Sequence, residues 1–396
     1  MNPHDINIED FNYDLAEEKI AQFPLKYRDK SKMLISWENE IEEGTIKDFP
    51  AWISKLKTPN VVLNDTRVVR ARLFFSRGKG LQPFEIFYLD PVNGSIEETM
   101  SSKDSITAWC KVRYSKKWKD HTLLKNKYLT AKKLEQIDDK FKIHFFWSND
   151  MTWSEILEEQ GQTPLPPYMK RDVNEVDSER YQTVFSKKEG SVAAPTAGLH
   201  FTPEILSKIS KEGGITTFLQ LHIGAGTFQP VSDNLLGNHK MHSEEVSISI
   251  ETIESLMNKF NTIAIGTTAT RALESLYWIS QELFNNDIEL NHVDQWLPYK
   301  KHKSYLNRMD SLKCIHKYLT TKQKKSIQFS TSLLIVPGYK FRFVDLLLTN
   351  FHQPKSTLLL LIAAAVGNEW KAIYDYALQM NFRFLSYGDA CLLKVK

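Results

Sequence analysis

Several short stretches of the chain hold residue types able to do chemistry. In Ser191-Val-Ala-Ala-Pro195-Thr196-Ala-Gly198-Leu-His200-Phe-Thr202, small residues precede a histidine and an N-cap. Small residues let a backbone approach a flat ligand closely, and a histidine beside them is placed for proton transfer. A satisfied structural histidine accounts for the same pattern. Gly266-Thr267-Thr268-Ala-Thr-Arg271 joins an apolar run to a helical pattern. Free N–H groups at a helix start, two hydroxyls and a first-turn arginine suit a carboxylate or phosphate. Capping by Thr267 or Thr268 explains them equally. Asn350-Phe-His352-Gln-Pro-Lys355-Ser356 sets polar groups at the mouth of an apolar helix, as a site wall or as a cap at Ser356. Tyr387-Gly-Asp389 fits a turn between strands.

Other patterns are weaker. Gly224-Ala-Gly226 lacks the third glycine of a dinucleotide fingerprint, and Pro230 stops a helix from opening after it. His239, His242 and Glu244 are too few for a zinc site, so a hydrogen-bonding loop pair is preferred and no metal is expected. The sequence contains no Walker A, HExxH or GxSxG motif.

The elements that must hold these stretches follow from periodicity. Asp14 caps a predicted helix LAEEKIAQF that Pro24 ends. Asn60–Leu63 is a predicted strand. From Leu73 to Trp147 short β-rich runs (ARLFF, FEIFYLD, ITAWCKVRY, FKIHFFW) alternate with turn residues, which predicts a small β-barrel domain over 73–152. It interrupts a mixed α/β domain formed by 1–72 and 153–396. A helix is expected at Trp153–Gln160, then a Pro-stiffened linker, TPLPPYMKR. Thr202 with Pro203 opens a helix that Gly213 closes. Further on, strands are expected at ITTFLQLHI, Asn261–Ile265, LLIVP, VDLLL and CLLKV. Helices are expected at ATRALESLYWISQELF, STLLLLIAAAV and EWKAIYDYALQ.

With 396 residues, 42% hydrophobic and 25% charged, the composition is that of an ordinary globular protein, not a disordered or fibrous one. Net charge is only +3, so nucleic-acid binding would need local patches. Lys111–Lys133 and Lys300–Lys325 are such patches, or else solvated insertions. The spacing of the three scattered cysteines argues against a disulfide framework. The apolar run Leu358–Val366 is too short for a membrane span, and the acidic N-terminus lacks a signal-type apolar region. The expectation is a cytoplasmic protein with no membrane partner.

Taken together, the strings LNDTRVVRARLF, PLPPYMKR, ERYQTVFS, GSVAAPTAGLHFT, LHIGAGTFQPV, HKMHSE, GTTATRALES, PGYKFRFVD, TNFHQPKSTLLLL and FRFLSYGDA occur in order over most of the chain. They resemble the S-adenosylmethionine:tRNA ribosyltransferase-isomerase family of queuosine biosynthesis. The resemblance implies a mixed α/β (α+β) fold: a large kinked-barrel domain with a small inserted β-barrel. It implies transfer and isomerisation of the ribosyl moiety of S-adenosylmethionine onto 7-aminomethyl-7-deazaguanine at the tRNA wobble position. Epoxyqueuosine forms, and adenine and methionine leave.

On this resemblance the acid–base candidates are His200, His222, His242 and Asp389. Thr267, Thr268 and Arg271 would hold the methionine carboxylate. Asn64, Asp65 and Arg67, with Pro195, Thr196, Gly198, Gly224, Gly226, Asn350, His352, Lys355 and Ser356, are substrate-contact candidates. Lys170, Arg171, Lys300, Lys301 and Lys303 are candidates for tRNA. The implied partners are S-adenosylmethionine, as cosubstrate without a prosthetic group, and a tRNA anticodon stem-loop met by a monomer. The sequence departs from the family pattern after His242-Ser-Glu244, where Glu245 and Val246 stand in place of an aromatic, and in the basic stretch 279–330. A paralogue with another acceptor, or a non-catalytic tRNA-binding protein on the same scaffold, is the alternative.

Overall fold

The segment Pro59–Asn64 (PNVVLN) is buried along its whole length, as a strand covered on both faces must be. The computed structural model describes residues 2–38, 40–224, 233–258, 261–286, 291–302 and 304–396. Among these, Pro59–Asn64 lies within a ten-stranded sheet. The strand order is His292–Val293, Ser326–Thr331, Glu244–Ser249, Ile215–Leu221, Pro59–Asn64, Asn261–Ile265, Leu346–Asn350, Ala390–Lys394, Lys32–Trp37, Glu40–Thr45. The central strands from Ile215–Leu221 to Leu346–Asn350 run parallel, and Ala390–Lys394 returns antiparallel beside them.

Strand side chains alternate between faces, and the sheet uses both. Val62, Ala264 and Leu347 pack with Ala269, Ala272, Leu273 and Leu276 of the helix Gly266–Asn286. Val61, Leu63, Ile263, Ile265, Leu346 and Leu348 face the other way, onto Ile205 and Ile209 of the helix Pro203–Lys211, with Phe49 and Phe201. Thr202 caps that second helix, accepting from the Ile205 N–H, and Pro203 begins it.

A second sheet has seven antiparallel strands, from Gly161–Gln162 through Arg72–Phe75, Phe84–Pro91, Ser105–Arg113, Lys140–Trp147 and Leu129–Ile137 to Leu123–Lys125. It encloses its own core, into which the helix Trp153–Gln160 presses Trp153, Ile156 and Leu157. Asn126 Nδ2 donates to the Phe74 carbonyl at 3.3 Å, drawing the two ends of the sheet together into a curl.

Two predicted elements give way to tertiary bonds. The expected helix over 15–23 is only a short 3-10 turn, Glu17–Lys19, without a side-chain cap. The Lys19 carbonyl accepts from Phe384 N–H, and Ala21 N–H donates back to Phe384. This bridge-type pairing takes the groups a helix needs. The expected strand LLIVP is irregular, and the strand lies earlier, at Ser326–Thr331. Side chains satisfy LLIVP instead: the Leu333 carbonyl accepts from Arg271, the Leu334 carbonyl from Tyr299 Oη, and the Val336 N–H donates to that same hydroxyl. The next strand starts only at Leu346, because the Phe343 and Val344 N–H groups donate to Glu274.

Candidate active site

In an open parallel sheet the chain leaves each strand's carboxyl end through a turn, and ligands bind in the crevice those turns form. Here the crevice brings together Thr349, Asn350 and His352 from one turn and Gly266, Thr267 and Thr268 from the next. Ile223 enters beyond a third strand, and Leu385 and Ser386 precede Ala390. Ala194 to Ala197 form one wall, with Tyr168, Gln353, Ser356 and Leu358 around the rim. Gly266 has φ +89°, a left-handed conformation that favours glycine and turns the strand directly into the helix. The Thr268 hydroxyl is buried without a hydrogen-bond partner among the described residues, a donor left for a bound group.

Asn350 fixes the cleft floor. Its Oδ1 accepts from Thr196 Oγ1 at 2.8 Å, and its Nδ2 lies 3.1 Å from His200 Nε2. That orientation makes His200 Nε2 the acceptor, so the ring is neutral at that atom. Burial, then the Arg383 and Arg28 charges, push the His200 pKa down to about 3. His352 lines the cleft itself, with Nε2 2.9 Å from Thr349 Oγ1, and burial lowers its pKa to about 3. Tyr13 Oη bonds the His352 carbonyl and the His352 N–H donates to Tyr374 Oη at 3.0 Å, so the residue is held from both sides. Tyr168 Oη is 2.5 Å from Ser386 Oγ, and burial keeps the phenol protonated well above its ordinary range. Among the described residues, therefore, the cleft wall carries hydroxyls, amides, a neutral imidazole and apolar groups, with no charged side chain.

One turn into the helix behind Thr267 and Thr268, Arg271 is buried. Its Nη1 lies 2.5 Å from Glu244 Oε2 and its Nε donates to the Leu333 carbonyl at 3.2 Å. Glu244 Oε1 meets His242 Nε2 at 3.1 Å. Arg271 Nη2 is buried with no partner among the described residues. Ile223 lines the cleft, and a Cβ added at the adjoining Gly224 would lie 3.9 Å from the His242 ring.

The model of the family described as "Queuosine biosynthesis protein" matches residues 8–393. The chain belongs to that family. A curated relative from Finegoldia magna, named S-adenosylmethionine:tRNA ribosyltransferase-isomerase, is 36% identical over 98% of this chain and 98% of its own. One of the same name from Sulfurihydrogenibium sp. is 34% identical over 98% and 100%. A solved S-adenosylmethionine tRNA ribosyltransferase from Thermotoga maritima is 24% identical, with TM-score 0.44, over 96% of this chain and 99% of that one.

In this member of the queuosine biosynthesis family the cleft gathers Pro195, Thr196, Thr267, Thr268, Asn350, His352 and Ser356 from the residues singled out in the sequence. His200 stands directly behind Asn350. Asp389 lies deeper: its carboxylate accepts from the Lys32 and Arg383 N–H groups at 3.0 and 2.8 Å. Asn64 bridges Thr66 and both backbone groups of Leu221. Gly198 touches Phe185 and Thr183, where a side chain would clash.

His222 occupies a different crevice, between the second sheet's helix Ile96–Ser101 and the main sheet. Burial pushes its pKa down to about 4. Asp65 lines a neighbouring crevice, and burial raises its carboxyl to about 6 against the pull of Lys187 and Lys188. Arg67 is exposed, 4.0 Å from Glu189.

Lys355 pairs with Glu9 at 2.7 Å, and Lys170 with Glu17. Arg171 grips Asp177 through two bonds of 2.7 and 2.8 Å. Lys300 is exposed, 3.8 Å from Asp294, and Lys301 is exposed. Gly226 and Lys303 lie outside the described residues. Sequence reasoning overlooked Tyr168, Gln353, Leu385 and Ser386, although each sits inside one of the quoted strings. Tyr168 was hidden in a stretch that reads as linker, and Ser386 next to the more conspicuous Tyr387-Gly-Asp389.

Proposed function

We propose that this chain transfers and isomerises the ribosyl moiety of S-adenosylmethionine onto 7-aminomethyl-7-deazaguanine at the tRNA wobble position. The products are epoxyqueuosine-tRNA, adenine and methionine. The observation that carries the reading is convergence. Strings separated by up to about half the chain, around Pro195, Thr267, His352 and Ser386, line one cleft at the carboxyl ends of parallel strands. Full-length relatives bearing that activity's name support it.

The chemistry needs a proton removed beside the sulfonium, a grip on the methionine carboxylate, and a departing adenine. Among the described residues no charged side chain lines the cleft, so little screens the sulfonium's effect on the adjacent C–H. His352 is the imidazole facing the cleft. Neutral, it is the group placed to accept the proton from the carbon beside the sulfonium, and because burial destabilises the imidazolium it hands that proton on to the departing adenine. Thr268 Oγ1 and Arg271 Nη2, both buried without partners among the described residues, serve the carboxylate. His200 orients Asn350 and acts as a positioning residue.

The acceptor is read as an anticodon stem-loop, S-adenosylmethionine as a cosubstrate without a prosthetic group, and the enzyme as a cytoplasmic monomer with 73–152 as its inserted unit. No helix of the described residues is long and apolar enough to cross a membrane.

The test is adenine release from S-adenosylmethionine by purified protein with tRNA bearing the aminomethyl base. Adenine above background is expected. None, beside an active control enzyme, refutes the reading. His200→Ala should lower turnover well beyond threefold; activity within about threefold, under 1 kcal/mol of transition-state stabilisation, would make His200 purely structural.

A further inference from the structure

The segment Ile20–Lys30 runs past the cleft without regular structure beyond a short turn, yet its backbone is firmly held. Arg171 Nε donates to the Gln22 carbonyl at 2.8 Å, and Arg383 Nη1 to that of Phe23 at 3.4 Å. Arg180 donates to the Leu25 carbonyl at 2.8 Å and to that of Lys26 at 3.4 Å. The segment also borders the cleft directly. Gln22 Nε2 donates to the carbonyl of Tyr168, and Ala21 N–H to that of Phe384, next to Leu385. Pro24 further restricts the backbone, including that of Phe23 before it.

This rigid segment exposes two aromatic side chains. Phe23 is 55% and Tyr27 59% exposed. Single exposed rings need no explanation. What distinguishes these two is their setting. The Arg171 guanidinium lies 4.3 Å from the Phe23 ring centre, and the Lys26 ammonium 5.4 Å from that of Tyr27. Arg171 is paired with Asp177 and Arg28 feels the Glu179 charge, whereas Arg180 donates to the backbone carbonyls of Leu25 and Lys26, bonds that leave its charge uncancelled. Exposed rings interleaved with cations are the means by which unpaired nucleotides are held: bases stack on the rings, and cations meet the phosphates.

We propose that Phe23 and Tyr27 form a stacking platform for unpaired anticodon-loop bases flanking the wobble nucleotide while that nucleotide occupies the cleft. The proposal rests on the tRNA reading above. It explains why a non-helical segment is pinned by three arginines: a platform ordered beforehand loses little entropy when RNA arrives.

The test uses the full chain and a synthetic anticodon stem-loop RNA, with binding followed by fluorescence anisotropy. Phe23→Ala and Tyr27→Ala should each weaken RNA binding by about five- to a hundredfold and leave S-adenosylmethionine binding unchanged. Phe23→Trp should restore affinity. Because both rings are exposed, thermal unfolding should hardly move. An RNA made abasic at the loop positions flanking the wobble base should bind wild-type and Phe23→Ala protein alike. Equal affinity of wild type and both alanine variants for the intact RNA overturns the platform while leaving the tRNA reading standing. If wild-type protein binds no stem-loop at all, the tRNA reading fails and the platform falls with it.

Discussion

Arg271→Lys separates two roles that Arg271→Ala would confound. Arg271 is buried against Glu244 at 2.5 Å, bonds the Leu333 carbonyl at 3.2 Å, and keeps Nη2 unpartnered among the described residues. Alanine would take the guanidinium away from a buried carboxylate, and deleting one partner of a buried ion pair costs about 3–5 kcal/mol. Lost binding would then report lost structure. Lysine keeps a cation beside Glu244 but is a point donor without the planar fork. It gives up the Leu333 bond, so stability should fall by roughly 1.5–3 kcal/mol with the fold retained. The second arm of the fork goes too. If Nη2 holds the methionine carboxylate, losing one charge-assisted bond removes about 1.5–3 kcal/mol of binding, roughly ten- to a hundredfold in affinity. Isothermal titration with S-adenosylmethionine checks this on a variant that still unfolds in one cooperative transition. Undiminished affinity in such a variant refutes the assignment and leaves Arg271 as a structural partner of Glu244 and Leu333.

Stability should also depend on pH with a definite sign. His200 and His352 are held near pKa 3 and His222 near 4 in the folded chain, against about 6.5 unfolded. The unfolded state therefore binds more protons between those values, and this stability, intact above pH 6.5, drains away as pH falls toward 4 for His222 and toward 3 for His200 and His352. Each histidine contributes up to about 1.4 kcal/mol per pH unit. Asp65, raised to about 6, acts oppositely and weakens the fold as pH rises through that value. Urea unfolding at pH 7 and 5 should show His352→Gln losing less on acidification than wild type; equal losses would mean that His352 is not buried neutral. Gly161→Ala should lower the melting temperature, because a Cβ there would lie 1.8 Å from the Arg70 carbonyl and force apart the pairing with Arg72 and Leu73. Overpacking of this kind costs about 1–3 kcal/mol, and an unchanged melting temperature would show that the strand Gly161–Gln162 has room to shift.

Much of the fold was legible because its signals are local. Thr202-Pro203 fixed a helix start, buried runs such as Asn261–Ile265 fixed central strands, and the strings around Pro195, Thr267 and Asn350 pointed to residues that do share the cleft. The misread elements had local signals that distant partners outbid. Residues 15–23 are patterned for a helix, but Phe384, more than three hundred residues away, claims the backbone groups of Lys19 and Ala21. LLIVP is apolar enough for a strand, but Arg271 and Tyr299 take its hydrogen bonds.

The division within the site has the same origin. By itself the sequence determined which residue types were on hand, and that His200, His352 and Arg271 sit in small or polar surroundings. Which imidazole faces the cleft, which stands behind an amide, and which lies in another crevice beside the second sheet were decided only when the strands paired. The ion pair of Arg271, on a helix, with Glu244, on the strand Glu244–Ser249, was likewise made only by the fold. Burial and Coulomb interactions depend on distance through space, and spacing along the chain fixes that distance only within a turn or two of helix or strand.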